Sequence, residues 1–266
     1  MQSAESSLVR IRDLLALGGK DFLIEVQKGN IAGHSMVHKF GRNDNVPMNS
    51  WAFINLLGFT DWPLSAPTTV RIKAGGDAAD VAGGAGAREI TVLGLDDSFN
   101  EVEEAIATNG VNVSAATATA FWRIYRAWVS AVGTYGVANT TAVTVENSGG
   151  GTDVIQIGAG EGQTQFGGWT VSLGKSAYLM SLHMHVDSKK IANIRMFTRE
   201  DIDDVVAPMK SKRLKLFFDG VIGNVPYRAK GPEIKIPQKT DIWLEAFGDA
   251  ATAEVACDFE LLVVDN

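Results

Sequence analysis

From Thr68 onward the sequence is a succession of short segments in which apolar and polar residues alternate, separated by turn-forming residues. A period of two is typical of strands with one buried face, and glycine, asparagine and aspartate supply the conformations that tight turns need. So many short strands predict two packed sheets. We therefore expect an all-β fold, a two-sheet sandwich of the jelly-roll type, with a short N-terminal helix and an extended arm. The predicted strands are Thr68–Lys73, Arg88–Leu95, Glu101–Ala107, Thr119–Ser130, Ala142–Glu146, Asp153–Ile157, Gly168–Leu173, Ala177–Val186, Ala192–Thr198, Arg213–Phe218, Glu233–Ile236, Asp241–Ala246 and Glu254–Val264.

Three prolines interrupt the late part of this region. Proline cannot donate a ladder hydrogen bond, so it is confined to edge strands and connections. We expect edge strands or loops at Pro226, Pro232 and Pro237.

The N-terminal region follows a different pattern. Helical spacing of apolar residues predicts a helix over Ser6–Leu17 and a second short amphipathic piece over Asp21–Lys28. From Asn30 to Pro67 no period persists, although the stretch is rich in aromatic residues, which argues against a disordered linker. We therefore divide the chain into a helix and extended arm, residues 1–67, and a β-sandwich domain, residues 68–266.

The apolar residues of the arm need a cover, either this chain's own core or a neighbouring subunit. The sequence leaves both alternatives open. As a hypothesis, an assembly interface is assigned to the most distinctive aromatic and cationic side chains of the arm. These are His34, Lys39, Phe40, Arg42, Trp51, Phe53, Phe59 and Trp62.

Composition narrows the classes of function. The formal net charge of −7 disfavours binding to nucleic acid or to an anionic membrane surface. The single cysteine, Cys257, excludes an internal disulfide and any zinc site with more than one thiolate. The N-terminus lacks a signal-peptide pattern and no apolar stretch approaches the roughly 20 residues of a membrane span, which predicts a soluble, non-secreted protein.

Two patterns admit a metal. Small residues surround Asp77 and Asp80 in the loop 74–87, as a calcium loop would require, but the spacing does not match the helix–loop–helix motif and a plain surface loop is the favoured interpretation. His183 and His185 share a strand face, and Asp187 follows on that face; a solvated sheet face is favoured over a metal site. We expect no metal and no cofactor.

Motifs of catalysis are missing from the sequence. His34 and His38 lack the glutamate of a zinc-protease helix, no serine stands in a Gly-x-Ser-x-Gly turn, and no glycine-rich segment ends as a phosphate loop does. No carboxylate pair stands in a glycosidase context. We expect a protein that is not an enzyme.

The densest aromatic and basic cluster is the segment FWRIYRAWVS, residues 121–130. On a strand Phe121, Arg123 and Tyr125 share one face. Trp122, Ile124, Arg126 and Trp128 share the other face. As a hypothesis, Trp122, Arg126 and Trp128 form a surface aromatic strand. Aromatic residues and arginine are enriched at binding surfaces. A carbohydrate platform, a subunit contact and a strand covered on both faces remain alternatives.

Three stretches together resemble a family of virion structural proteins of tailed bacteriophages of marine and other environmental bacteria. The first is DFLIEVQKGNIAGHSMVHKFGRND, with Gly-His-Ser followed by Lys-Phe-Gly. The second is GAREITVLGLDDSFNEVEEAIATNG followed by FWRIYRAWVS. The third is the C-terminal KTDIWLEAFGDAATAEVACDFELLVVDN, similar to the family's closing hairpin. Between Val46 and Thr69 the segment NSWAFINLLGFTDWPLSAP departs from the family's shorter, glycine-rich pattern.

The resemblance implies a non-enzymatic role in the virion, and it transfers no catalytic residue. We expect an accessory capsid protein, a decoration or cement protein in many copies on the shell, with the arm lying across the shell. The alternative is a tail, neck or fibre protein that binds a receptor or host glycan. The expected partners are phage capsid or tail proteins and further copies of the chain, for example in a trimer. The expected location is the virion, assembled in the cytoplasm of the bacterial host.

Overall fold

A computed structural model describes residues 21–58, 65–187, 189–229, 234–249 and 252–266. The helix predicted over Ser6–Leu17 lies outside these residues, as do Phe59 and Trp62. The second amphipathic piece is confirmed as helix α1 (Phe22–Gln27). The carboxylate of Asp21 caps it by accepting hydrogen bonds from the N–H groups of Leu23 and Ile24, at 2.9 and 3.2 Å.

The rest of the described chain is almost entirely β, as predicted. The strands are β1 (His34–Val46), β2 (Ala52–Phe53), β3 (Val70–Ile72), β4 (Ala87–Asp96), β5 (Glu101–Ala107), β6 (Phe121–Val132), β7 (Val143–Asn147), β8 (Asp153–Ile157), β9 (Gly168–Thr170), β10 (Lys175–Val186), β11 (Ala192–Arg199), β12 (Arg213–Val221), β13 (Gly223–Arg228), β14 (Lys235–Ile236), β15 (Asp241–Gly248) and β16 (Ala253–Asp265). Each predicted strand overlaps an observed one.

The described strands form four antiparallel sheets, whereas the sequence pattern predicts two. Sheet I has the order β1-β16-β10-β13, with β14 also paired to β10, and sheet II has the order β12-β11-β15-β2, with β9 also paired to β15. Sheet III is β3-β7-β8 and sheet IV is β5-β4-β6. The jelly-roll type of connection stays a prediction.

Between Asn30 and Pro67, where no period persists in the sequence, the structure has strands β1 and β2. Strand β1 pairs with β16 from His34↔Val264 to Val46↔Ala253. Its alternation is hidden in the sequence because its inward-facing positions carry Lys39, Gly41 and Asn43, which are buried but not apolar. Strand β2 pairs with β15 in sheet II.

One hydrophobic core receives side chains from all four sheets. It includes Leu261 of sheet I, Leu244 of sheet II, Ile155 of sheet III and Ile124 of sheet IV, each at most 2% exposed. Because the sheets share this core, a side chain on one sheet is held in place by the others.

Pro226 lies in β13, the last strand in the order of sheet I, as expected for a proline on an edge strand.

Candidate functional site

Two residues assigned to the assembly interface lie inside the chain's own core. Phe53 is 1% exposed, and its ring stacks on that of Phe166 at a centroid distance of 5.0 Å. Lys39 is 6% exposed. Neither side chain is at the surface of this chain, so neither belongs to the interface proposed below.

Lys39 connects sheet I to sheet IV. Its Nζ donates a hydrogen bond of 2.5 Å to the carbonyl oxygen of Tyr125 and lies 5.4 Å from the centre of the Tyr125 ring. Burial is the largest influence on this amine and, with the neighbouring Arg126, lowers the pKa of Lys39 to about 7, whereas Glu101 and Cys257 act in the opposite direction. Lys39 is therefore a structural element of the interior.

Other residues of the predicted arm lie at the surface but are separated from one another. His34 begins β1, and its Nδ1 is 2.9 Å from the carbonyl oxygen of Ala32. Phe40 is half-buried and lines a pocket on the outer face of sheet I. Arg42 forms an ion pair of 2.5 Å with Glu161.

Trp51 lies in a stack of aromatic and cationic side chains on sheet II. The guanidinium of Arg195 lies 3.8 Å from the centre of the Trp51 ring, and the ring of Phe217 packs against Trp51 at 6.2 Å. Leu214 and Phe217 belong to β12 and are 52% and 50% exposed. We call the group of Trp51, Arg195, Leu214 and Phe217 the β12 surface.

A bulge places Leu214 and Phe217 on the same face of sheet II. Phe217 is opposite Arg195, and Leu214 is opposite Phe197, with a register shift between these pairs. Lys215 is the extra residue that changes the alternation. In an unbulged strand Leu214 and Phe217 would face opposite sides, so the sequence pattern could not predict this surface. Its only sequence signal is an aromatic residue, Phe217, at a polar-facing position.

A buried carboxylate holds the cations at the β12 surface. Glu245 is 0% exposed. Its carboxylate forms ion pairs with the Arg195 guanidinium at 2.6 Å and with the Lys212 amine at 3.2 Å. The indole N–H of Trp243 donates to the same carboxylate at 2.9 Å. These contacts fix the planar guanidinium against the Trp51 ring.

The segment from Val206 to Lys215, which leads into β12, places further apolar and cationic side chains beside the β12 surface. Val206 is 75% exposed and Met209 is 49% exposed. Lysine or arginine occupies four of the six positions from 210 to 215, in a chain of net charge −7. Within the described ranges, no strand pairs with the outer edge of β12. Lys210 and Lys212 already pair with carboxylates of this chain, so the positive charge that this part of the surface offers comes from Arg213 and Lys215. It stands beside an unpaired backbone edge and apolar side chains.

The three residues of the predicted aromatic strand do not form one surface. Trp122 is 8% exposed, its ring stacks on Phe99 at 5.5 Å and its indole N–H donates to the carbonyl of Asp97, so the expectation of a surface position is wrong. The turn between β4 and β5 covers it. Tyr125 is an extra residue of β6 between the residues that pair with Leu93 and Gly94. This register shift puts Trp122 on the opposite face of sheet IV from Arg126 and Trp128.

Arg126 and Trp128 line a pocket of about 520 Å³. The Arg126 guanidinium lies 6.0 Å from the centre of the Trp128 ring and donates to the side-chain oxygen of Gln163 at 3.1 Å. Glu103 of β5 and Glu161 complete the polar wall. The arginine and the tryptophan stand out in the sequence as a cluster, whereas the acidic and amide residues of the pocket come from other segments and carry no such signal.

The two aspartates of the loop 74–87 have protein partners. The Asp80 carboxylate is buried and accepts from the backbone N–H groups of Ala87, Thr140 and Thr141. The Asp77 carboxylate accepts from the N–H of Ala79. Asp80 therefore fastens this loop to the segment that precedes β7.

The histidine pair of sheet I contacts polar neighbours separately. His183 lies 3.9 Å from Asp258, whereas His185 Nδ1 lies 2.9 Å from the side-chain oxygen of Asn224. Asp187 accepts from the backbone N–H of Glu254. In the part of the chain that the structure describes, no three His, Cys, Asp or Glu residues are grouped so that they could hold a metal ion.

Cys257 is buried between sheets I and II. Burial raises the pKa of its thiol to about 12, and this places it among the inert structural cysteines.

Of the helices in the described ranges, none has the length and apolar character to cross a membrane.

No known family model matches the sequence, and no curated protein is detectably similar to it. Among solved structures, similarity is found to infectious bursal disease virus, Gx strain (8% identity, 88% of this chain and 71% of that chain, TM-score 0.24), and to the VP2 subviral particle of the same virus (10%, 88% and 72%, TM-score 0.23). A structure described as a triple jelly roll fold and turret assembly in an archaeal virus aligns at 8% identity over 89% and 61%, with a TM-score of 0.20. TM-scores this low do not establish a shared fold.

Proposed function

We propose that this protein is a non-enzymatic structural component of a tailed-bacteriophage virion, and within the virion an accessory capsid protein attached in many copies to the shell. The resemblance of three stretches of its sequence to such proteins supports the role. The observation that carries the attachment is the β12 surface, where Leu214 and Phe217 are half exposed on an edge strand next to the Trp51–Arg195 stack.

The chemistry of this surface suits a protein partner. Tryptophan, phenylalanine and arginine are enriched at the centres of protein interfaces, where they bury a large area with few rotatable bonds. Arg195 is already fixed by Glu245 and Trp51, so little side-chain entropy is lost when a partner covers it. The exposed apolar residues would gain roughly 25 cal/mol for each Å² that the partner removes from water.

Charge defines the partner further. Arg213 is exposed, and its nearest carboxylate contact, to Glu200, is 3.9 Å long. Among the described residues, Lys215 has no ion-pair partner within 4.0 Å. Both side chains can therefore pair with acidic groups of another protein. The partner that fits is a shell subunit with an apolar surface rimmed by carboxylates. Repetition over a symmetric shell would give many copies, and a trimer is the oligomer that we expect at a threefold position.

The β12 surface replaces the arm as the proposed attachment element. Removal of residues 30–62 would delete β1 and β2, which belong to sheets I and II, and would also remove the buried Lys39. Such a truncation would unfold the protein and could not report on attachment. Single substitutions at exposed positions are the appropriate test.

The experiment adds purified protein to virus particles that lack it and measures the bound fraction by sedimentation. Phe217→Asp should abolish binding because a carboxylate cannot be buried at an apolar contact without a partner. Tyr135→Asp is the matched control, since Tyr135 is fully exposed and lies outside the β12 surface. Circular dichroism checks that both variants are folded. Equal binding by Phe217→Asp and the unmodified protein would refute attachment through this surface.

A further inference from the structure

The pocket of about 520 Å³ beside Trp128 is assembled from four separate segments. Strand β6 contributes Arg126 and Trp128, β4 contributes Leu93, β5 contributes Glu103, and the segment before β9 contributes Gln163. The volume lies within the range of about 300–1,000 Å³ that is usual for small-molecule sites. The β12 surface does not include any of these residues.

Part of the pocket wall is fixed by contacts within the protein. Arg126 donates from Nη2 to Gln163 and lies over the Trp128 ring. The carboxylate of Glu161 is held by Arg42 at 2.5 Å and accepts from the side-chain amide of Gln165. These contacts pre-organise the wall, so a ligand would not have to order it.

Other polar groups of the pocket retain hydrogen-bonding capacity. In the described part of the chain, the exposed Glu103 carboxylate has no hydrogen bond or ion pair. The side-chain amide group of Gln163 and the indole N–H of Trp128 have no acceptor there either. Arg126 uses one Nη2 hydrogen bond of the five that a guanidinium can donate. The pocket thus combines one aromatic ring with carboxylate acceptors and amide or guanidinium donors.

This combination fits a sugar ring. A pyranose has an apolar face of C–H groups, which packs on an aromatic ring, and equatorial hydroxyls that both donate and accept hydrogen bonds. The carboxylate of Glu103 can accept from two hydroxyls, while Arg126 and Gln163 can donate to hydroxyl oxygens. Two carboxylates and one guanidinium line the pocket, so negative charge is in excess there. This excess disfavours a sugar that carries its own carboxylate.

We propose that this pocket binds a neutral hexopyranose, with the sugar ring packed on Trp128 and its hydroxyls bound by Glu103, Arg126 and Gln163. The inference goes beyond the proposed attachment to a shell and does not depend on it, because the two surfaces share no residue. Free oligosaccharides and cell-surface polysaccharides present the same neutral ring, and the experiment separates these sources.

The test uses saturation-transfer NMR and calorimetry on the full chain. The probes are maltotriose, cellotriose, mannotriose and lactose, with sialyllactose as the acidic comparator, and a polysaccharide fraction from bacterial cells forms a second arm. At least one neutral sugar should bind. Binding by both arms indicates a cell-surface glycan as the source, whereas binding by the neutral oligosaccharides alone indicates free sugar.

Variants identify the site. Trp128→Ala should weaken binding by about tenfold or more, because it removes the ring on which the sugar packs. Glu103→Ala, at an exposed position of β5, should weaken it several-fold without disturbing packing, and it keeps the test valid if Trp128→Ala is unstable. Tyr135→Ala, an exposed aromatic residue outside the pocket, is the matched control and should bind normally. No binding of any neutral sugar, a preference for sialyllactose, or normal binding by Glu103→Ala would overturn the proposal.

Discussion

The guanidinium of Arg123 and the carboxylate of Asp241 form a doubly hydrogen-bonded ion pair that is sealed from solvent, with side-chain exposures of 1% and 0%. Nε donates to Oδ1 at 3.1 Å and Nη2 donates to Oδ2 at 3.0 Å. Thr170 donates to the same carboxylate at 2.7 Å. The pair joins β6 of sheet IV to β15 of sheet II, which share no backbone ladder, so it fixes how these two sheets meet.

Arg123→Met should lower the free energy of unfolding by about 3–5 kcal/mol, because it leaves the Asp241 carboxylate buried without its cation. Urea denaturation measures the change. The double variant Arg123→Met/Asp241→Leu should recover much of the loss, since no uncompensated charge remains. A double variant as unstable as the sum of the two single variants would contradict this account of the pair.

Stability should rise between about pH 7 and pH 9 because of Lys39. The pKa of its buried amine is about 7 in the folded protein and near 10.5 in the unfolded chain, so the unfolded state binds more protons in this interval. Unfolding then becomes harder as pH rises, by up to about 1.4 kcal/mol per pH unit. Above pH 9 the buried Cys257 opposes the trend, because its thiol, with a pKa raised to about 12, stays protonated only in the folded state.

Urea unfolding at pH 7.5, 8.0 and 8.5 tests this dependence. Lys39→Met keeps a side chain of similar length and removes the titrating amine, so the rise with pH should disappear in this variant. A wild-type stability that is constant or falls between pH 7.5 and 8.5 would show that Lys39 is not buried as an amine of lowered pKa.

Gly94→Ala should destabilise the protein by about 1–3 kcal/mol or more, because a Cβ at this position would collide with the backbone carbonyl of Arg123 on the adjacent strand. Backbone atoms cannot move aside as the end of a flexible side chain can. Gly83→Ala is the matched control: a Cβ there has open space around it, and no change or a slight gain is expected. Thermal unfolding compares the two, and equal melting temperatures would contradict the predicted close approach.

Attachment to particles should weaken as ionic strength rises, because cations beside the β12 surface contribute to it. The double variant Arg213→Glu/Lys215→Glu should bind more weakly and lose most of this salt dependence. Lys235→Glu changes the charge at another exposed position, on β14, and serves as the control. Sedimentation at two salt concentrations measures the effect; a salt slope unaltered by the double variant would mean that these cations do not take part.

Where one sheet face is apolar and the other polar, the sequence predicts the strands closely. Strands β5 (Glu101–Ala107) and β8 (Asp153–Ile157) have the predicted bounds. Strand β1 could not be predicted in this way, because its buried positions carry a lysine, a glycine and an asparagine whose burial depends on contacts distant in sequence. Lys39, for instance, has its hydrogen-bond partner at Tyr125.

The candidate surfaces depend on features that a periodic pattern does not contain. The one-residue shift at Lys215 brings Leu214 to the face of Phe217, and the shift at Tyr125 separates Trp122 from Trp128. A bulge reverses the alternation of every later residue, so interpretation by period alone assigns those residues to the wrong face. Arg126 and Trp128 could be identified as candidates from their clustering, whereas Glu103 and Gln163 join them only through sheet pairing and the path of the loop.

The most direct test of the proposed function is the copy number of this protein in purified virus particles, measured by quantitative mass spectrometry against the major shell protein. An accessory capsid protein predicts a number comparable to that of the shell protein. A handful of copies per particle would contradict the shell position and place the protein in the neck, tail or fibres, and its absence from the particles would contradict a virion role.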